Sequence, residues 1–204
     1  MTSLSPIVFS RYPAGIPLST KWSRPVSYTH LLVSSNSDGG YWTTDAQGEL
    51  TASTANGDWN VKYEPSSATL TLKGATIKGG SSTDNSSGAG IYAKGKANSD
   101  VALTIVLEGD STISGNYGIF ILTDQESGGA ASLTIKGNYE LSVTGTNTYG
   151  IVVNGQKGNT SLTIENATVT ASTSGASAAG VGVQSYSTDS TLSIACLLYT
   201  SRCV

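Results

Sequence analysis

Between residues 32 and 195 the chain has no cysteine, no histidine and no arginine. Each absence removes a chemistry. Without cysteine there is no disulfide framework and no thiolate metal site, and the segment suits either redox compartment. Without histidine the commonest general base is missing. Without arginine, seven lysines face 14 acidic residues, so this segment carries 7 − 14 = −7. That balance argues against nucleic acid, because phosphate contacts need a basic surface. No glycine-rich phosphate loop, nucleophile elbow or zinc-ligand spacing occurs either. Residues 1–25 contain no apolar run of the kind that makes a signal peptide or a membrane span.

The residues missing from the middle crowd the two ends. Arg11, Arg24, Arg202, His30, Cys196 and Cys203 all lie there, with Pro6, Pro13, Pro17 and Pro25. Two compositions have been joined. Val26-Ser27-Tyr28-Thr29-His30-Leu31 and Cys196-Leu197-Leu198-Tyr199-Thr200-Ser201 resemble translations of one DNA string, CTGTCTCTTATACACATCT, in two frames. Its reverse complement encodes Arg-Cys-Val-stop, which matches Arg202-Cys203-Val204. The string resembles a transposon end used as a sequencing adapter. Residues 1–31 therefore read as a non-native or disordered leader and 196–204 as an adapter-like tail. Both are set aside from the fold argument. His30 is then no catalytic base, and Cys196 and Cys203 are no disulfide or metal pair.

What is present is repetition. Leu70-Thr71-Leu72 returns as Leu103-Thr104-Ile105, Leu133-Thr134-Ile135, Leu162-Thr163-Ile164 and Leu192-Ser193-Ile194, at spacings of 33, 30, 29 and 30. Gly90-Ile91-Tyr92-Ala93 returns as Gly118-Ile119-Phe120-Ile121, Gly150-Ile151-Val152-Val153 and Gly180-Val181-Gly182-Val183. A third phrase runs Ala75-Thr76-Ile77, Ser111-Thr112-Ile113, Leu141-Ser142-Val143 and Ala167-Thr168-Val169. Three short strands per period of about 30 residues predict an all-β parallel β-helix, a β-solenoid of four to five coils. Within each strand, apolar and small or polar residues alternate, as in a half-buried strand. Stacking puts the leucines of the first phrase in one inward column, beginning at Leu70, and its threonines in an outward ladder beginning at Thr71. No single period can bury its apolar side alone, so the core requires stacking.

The coils are expected over residues 67–195 and an N-terminal β cap over 32–66. Trp42, Trp59, Tyr41 and Tyr63 concentrate in that cap, where the first coil's apolar end and strand edge need covering. Val61, Lys62 and Tyr63 alternate as one strand. Residues 81–88, 123–131 and 172–179 read as loops that widen corners. The row Leu192 to Ile194 is expected to be an open edge, prone to edge-to-edge self-association.

Candidate ligand-binding residues follow from this layout. Tyr92 and Phe120 fall in the outward slot of adjacent coils, and rings one rung apart form a strip on which sugar rings can lie. Tyr117 and Tyr149 stand just before the strand-opening glycines of successive coils. Trp42 and Trp59 offer a second platform in the cap. The competing reading is intramolecular: aromatic stacking across strands, and a cap that shields the coil. Glu108 with Asp110, and Asp124 with Glu126, place paired carboxylates on loops of the oxygen-rich kind that suits calcium. No EF-hand spacing or glycine-aspartate nonapeptide accompanies them.

The phrases Gly40-Tyr41-Trp42-Thr43-Thr44-Asp45, Trp59-Asn60-Val61-Lys62-Tyr63, Ala68-Thr69-Leu70-Thr71-Leu72, Gly90-Ile91-Tyr92-Ala93 and Leu103-Thr104-Ile105-Val106-Leu107-Glu108-Gly109 resemble secreted, repeat-rich surface proteins of gut clostridia. That group is described as carbohydrate-binding-domain or right-handed, pectate-lyase-like β-helix proteins. The resemblance implies a right-handed coil, secretion or display on the cell surface, and a polysaccharide or surface glycan as partner. It implies no inserted membrane segment. Pectate lyases use an Arg or Lys base with calcium, and this segment offers only Lys94, Lys96 and Lys136, without a matching motif. Glycosidases need two carboxylates across a groove. Asp100, Glu108, Asp110, Asp124, Glu126 and Glu140 are available, each equally readable as a solvated corner residue. The expected function is therefore a non-catalytic carbohydrate-binding or adhesive module. The alternatives are a fragment of a polysaccharide lyase or glycoside hydrolase, or a spacer that binds nothing.

Overall fold

The computed structural model describes residues 27–28, 31–33, 39–80, 88–95, 99–123, 129–175, 179–186 and 189–195. Their regular structure is β, apart from one 3-10 turn at Pro65–Ser67. The N-terminal strands are β1 (Ser27–Tyr28), β2 (Leu31–Val33), β3 (Gly40–Thr44), β4 (Leu50–Ser53), β5 (Val61–Glu64) and β6 (Thr69–Leu72). Then come β7 (Thr76–Lys78), β8 (Ile91–Lys94), β9 (Val101–Leu107), β10 (Ser111–Gly115), β11 (Ile119–Leu122) and β12 (Ala131–Lys136). The last six are β13 (Glu140–Gly145), β14 (Ile151–Asn154), β15 (Thr160–Glu165), β16 (Thr168–Thr173), β17 (Val181–Gln184) and β18 (Ser190–Ala195).

These strands form a β-solenoid with three faces. One face runs β6-β9-β12-β15-β18, the second β7-β10-β13-β16, and the third β8-β11-β14-β17. Every pair within a face is parallel. The coil makes about three turns of some 30 residues, fewer than the four to five the repeats suggest. From β9 onward the first phrase stacks as expected: Leu103, Leu133, Leu162 and Leu192 are partners in turn, as are Ile105, Ile135, Ile164 and Ile194. Leu133, Ile135 and Leu162 are completely buried. Each such side chain contributes about 1.5–3 kcal/mol through removal from water. Thr104, Thr134, Thr163 and Ser193 form the outer ladder.

The first repeat does not join that register. Leu70 pairs with Ile105 and Leu72 with Leu107, so Thr71 meets Val106, and Thr69 takes the place beside Thr104. β9 is seven residues long and has four buried positions, of which β6 takes the last two. A shift of two residues keeps every side chain on its own face, so it costs no burial. The third phrase slips likewise: Val169 lies opposite Leu141, not Val143, and Ala171 takes the Val143 place. The preceding corner is only Asn166 and Ala167, with Asn166 at φ +54°, so β16 reaches the face early. β16 then runs to Thr173, into the stretch read as a loop.

The N-terminal strands cover the start of the coil. β4, β3, β5 and β6 form an antiparallel cap sheet that continues the first face edgewise, and β1 pairs outside β4. On the second face, the Lys78 N–H donates to the Gly48 carbonyl and the Thr76 N–H to Thr44 Oγ1, both from the β3–β4 segment. On the third face, β2 pairs in parallel with β8. Ser27, Tyr28 and Leu31, set aside from the sequence, thus take part in backbone pairing. The core runs unbroken from Trp42, Leu50 and Tyr63 in the cap sheet to Leu162 and Ile164 in the third turn.

Candidate functional site

The aromatic row on the third face has the expected register. Ile91, Ile119, Ile151 and Val181 stack inward, and Tyr92, Phe120, Val152 and Gly182 stack outward. Its exposure is another matter. Tyr92 is 7% and Phe120 5% exposed, so the strip expected from the sequence is not open. These rings form a second apolar cluster outside the coil with Ala89, Leu122 and Val152, and Tyr117 and Tyr149 pack against it. The Tyr92 and Phe120 centroids are 5.5 Å apart and tilted by 59°. Tyr117 stacks on Phe120 at 4.6 Å with a 25° interplanar angle. The physical cause lies in the strand sequence: Ile-Phe-Ile-Leu and Ile-Val-Val-Asn are bulky on both faces, and their outward apolar atoms also leave water. Burial raises the Tyr117 hydroxyl above the ordinary tyrosine range, with Tyr149 adding to the shift and a Thr148 hydrogen bond opposing it. Tyr149 is half-buried, and its hydroxyl accepts from Gln184 Nε2 at 3.0 Å.

In the cap, the two tryptophans part company. Trp42 points into the core and is 5% exposed, so it offers no platform. Alternation in β3 decides this: with Trp42 inward, Tyr41 and Thr43 face outward. Trp59, half-exposed, meets Tyr41 edge-to-face at 5.6 Å. Lys73 Nζ lies 5.7 Å from the Trp59 ring centre and Lys62 Nζ 5.8 Å from that of Tyr41. Tyr41 and Lys62 are direct cross-strand partners. Lys62 also pairs with Glu64 at 3.1 Å, and that contact is the main cause of its raised pKa. The outer side of the cap sheet therefore carries two rings and two ammonium groups on one surface. Trp59 is one of the residues expected from the sequence to form a platform; Tyr41, beside it, is not. Period two already held the signal, since Tyr41 and Trp42 cannot both point inward.

The carboxylates serve corners. Asp110 Oδ1 accepts from the Glu140 N–H at 2.9 Å, and Asp100 Oδ1 from the Ala130 N–H at 2.8 Å. Each thereby ties one coil's corner to the next. Glu108 and Glu140 are exposed. Asp124 and Glu126, the second calcium candidate pair, lie outside the described residues, as does Lys96. Among the described residues no three of His, Cys, Asp and Glu gather as metal ligands, and no helix is long and apolar enough to cross a membrane.

Among the described residues, two buried side-chain oxygens stand without a hydrogen bond: Asn116 Oδ1 and Thr123 Oγ1, both at corners flanking β11. Asn154, at the end of β14, and Asn166, just after β15, also stand at corners. Asn154 Oδ1 accepts from the Gln156 N–H at 3.0 Å, and Asn166 holds the left-handed turn before β16. No family model matches the chain, and no curated protein and no solved structure matches it either.

Proposed function

We propose that the chain is a non-catalytic glycan-binding module of a secreted or cell-surface β-helix protein, wound right-handed, and that it binds through the cap. The observation that carries this reading is the Tyr41–Trp59 pair: two half-exposed rings at 5.6 Å on the solvent side of a sheet. Sugar rings present flat C–H faces, and an amphipathic aromatic surface with one wet side is suited to receive them. The lysines beside the rings supply hydrogen-bond donors at the platform's edge. The buried coil aromatics Tyr92 and Phe120 hold the outer cluster together. The right hand follows the strong preference of parallel crossovers, and the secreted setting follows the resemblance noted in the sequence.

The test is retention of the full chain on a panel of insoluble and soluble polysaccharides, with and without calcium, while the supernatant is assayed for released sugar. Retention without release, abolished by Trp59→Ala and weakened by Tyr41→Ala, is expected. Tyr92→Ala serves as the comparison, since its ring is covered. Retention that survives both cap substitutions would remove the platform. Release of sugar would replace the reading with a polysaccharide-cleaving enzyme, and no retention on any glycan would leave a spacer.

A further inference from the structure

The chain holds two Asn-Gly pairs, Asn56-Gly57 and Asn154-Gly155, and the fold treats them in opposite ways. In such a pair the asparagine amide is open to attack from its own backbone, because glycine has no β-carbon to shield its nitrogen and leaves the chain free to turn. Asn154 ends β14 and is 8% exposed. Its Oδ1 accepts from the Gln156 N–H at 3.0 Å, and the Gly155 N–H donates to the Gln184 carbonyl of the next coil at 3.0 Å. A β-carbon at Gly155 would run into Thr160 Oγ1 and the Gly158 carbonyl, so this backbone has no room to swing. Asn56 lies at the tip of the segment between β4 and β5, where residues 54–58 are all exposed. That segment crosses the end of β3, because β4 and β5 flank β3 on either side. Asn60 pins its far end: the Thr44 N–H donates to Asn60 Oδ1 and Asn60 Nδ2 donates to Thr44 Oγ1, both at 2.8 Å. Among the described residues the tip itself is held by two bonds, from the Gly57 N–H to the Thr54 carbonyl at 3.0 Å and from the Ser53 hydroxyl to the Asp58 carbonyl at 2.6 Å.

We propose that Asn56 is a site of spontaneous deamidation, and that the fold shields Asn154 from the same reaction. The Gly57 nitrogen gives up its proton to water and attacks Asn56 Cγ. The N–Cγ bond forms, the Cγ–Nδ2 bond breaks, and the side-chain nitrogen takes up a proton and leaves as ammonia. Water then opens the five-membered succinimide at either carbonyl, leaving aspartate or an isoaspartyl linkage. The sum consumes one water and releases one ammonia, with no oxidant or cofactor. At Asn56 the attack requires opening one exposed turn bond, from Gly57 to Thr54. At Asn154 it requires breaking the bonds to Gln156 and Gln184, the second of which ties two coils together. The two rates therefore follow the local opening of each segment. The product places a new carboxylate beside Asp58, in a segment that is already acidic. An isoaspartyl linkage also lengthens the main chain by one carbon at the tip. The tip lies between strands and ahead of the Asn60 anchor, so the cap sheet keeps its pairing.

The test ages the full chain in mildly alkaline buffer at body temperature, native and in urea, and follows each asparagine by peptide mass spectrometry. In the native chain Asn56 should gain about 1 Da and an isoaspartyl linkage. Its rate should exceed that of Asn154 by about tenfold or more. In urea, where both segments are open, the two rates should converge. Gly57→Ala should slow the reaction at position 56 by about tenfold, since its methyl group shields the attacking nitrogen. The added β-carbon meets Ser53 Oγ and Thr54 Oγ1 at 3.1 Å, both ends of rotatable side chains, so the turn accepts it. The aged protein should keep the circular dichroism of the fresh one and focus at a more acidic pH. An unaltered Asn56, or an Asn154 that reacts as fast in the native chain, overturns the proposal. An Asn154 that stays inert in urea would assign its protection to local sequence and overturn the role of the fold. A Gly57→Ala variant that ages at the parent rate would rule out ring closure through the Gly57 nitrogen.

Discussion

Tyr149 lies across Gly182 on the outer side of the third face. A β-carbon at Gly182 would meet the Tyr149 ring at 2.9 Å from Cε1 and 3.0 Å from Cδ1. The glycine leaves the sheet bare at that rung, and a tyrosine from the preceding coil covers the gap. Its hydroxyl then takes a hydrogen bond from Gln184, two residues beyond the glycine. A glycine in a strand interior weakens pairing, and an aromatic neighbour restores the lost contact.

Tyr149→Ala should therefore cost about 1 kcal/mol of stability, the scale of a cross-strand aromatic contact. Tyr149→Phe keeps the cover, loses only the Gln184 bond, and should cost less. Gly182→Val extends the valine at position 152 by one rung, but the ring must swing out to admit it. Urea unfolding of the three variants checks the order. A Tyr149→Ala variant as stable as the parent would mean that the ring covers nothing of consequence.

The sequence carried the fold because a coil repeats its physics. Leu103, Leu133 and Leu162 face the same neighbours in each turn, so period and parity named the inward columns before any coordinates. Register at the two junctions was not legible. Leu70-Thr71-Leu72 looks like the other repeats, but a two-residue slip preserves its facing, and nothing in the pattern distinguishes the two registers. The site was harder to read. Alternation tells which ring points outward, and it placed Tyr92 and Phe120 correctly. It does not tell whether an outward ring stays wet. That depended on Tyr117, three residues from Phe120 around a corner, folding its ring onto it. In the cap, parity was the missing step, since burying Trp42 is what turns Tyr41 toward Trp59.

The inward and outward columns should differ sharply in mutational cost. Ile135 is completely buried between Ile105 and Ile164. Ile135→Ala should cost about 2–5 kcal/mol, the transfer loss plus the cavity left in a rigid stack. Thr134, one residue away on the ladder, is half-exposed. Thr134→Ala should change stability by about 0.5 kcal/mol or less. Denaturant unfolding measures both. Similar losses for the two would contradict the assignment of the coil's inside.

Alkaline pH should loosen the cap. Burial raises the Tyr63 hydroxyl above the ordinary tyrosine value. The unfolded chain releases this proton near pH ~10, while the folded chain still holds it. Ionisation thus favours the unfolded state: the stability is intact below about pH 10 and is lost as pH rises through the higher folded value. The check is urea unfolding on either side of that window, for the parent and for Tyr63→Phe. The phenylalanine variant should show the smaller drop. Equal drops would assign the alkaline loss to other groups.

The corner after β11 offers a stabilising change. Thr123 is fully buried, and its Oγ1 has no hydrogen-bond partner among the described residues. A buried hydroxyl without a partner forfeits its hydration and gains nothing in return, at a cost of about 1–3 kcal/mol. Its backbone N–H donates to the Asn154 carbonyl in the next coil, and a substitution of the side chain leaves that bond in place. Valine has nearly the same shape and no hydroxyl. Thr123→Val should therefore raise the unfolding midpoint, by up to about 1–2 kcal/mol in free energy. A valine variant less stable than the parent would show that the hydroxyl is bonded after all, and that this corner is polar by requirement.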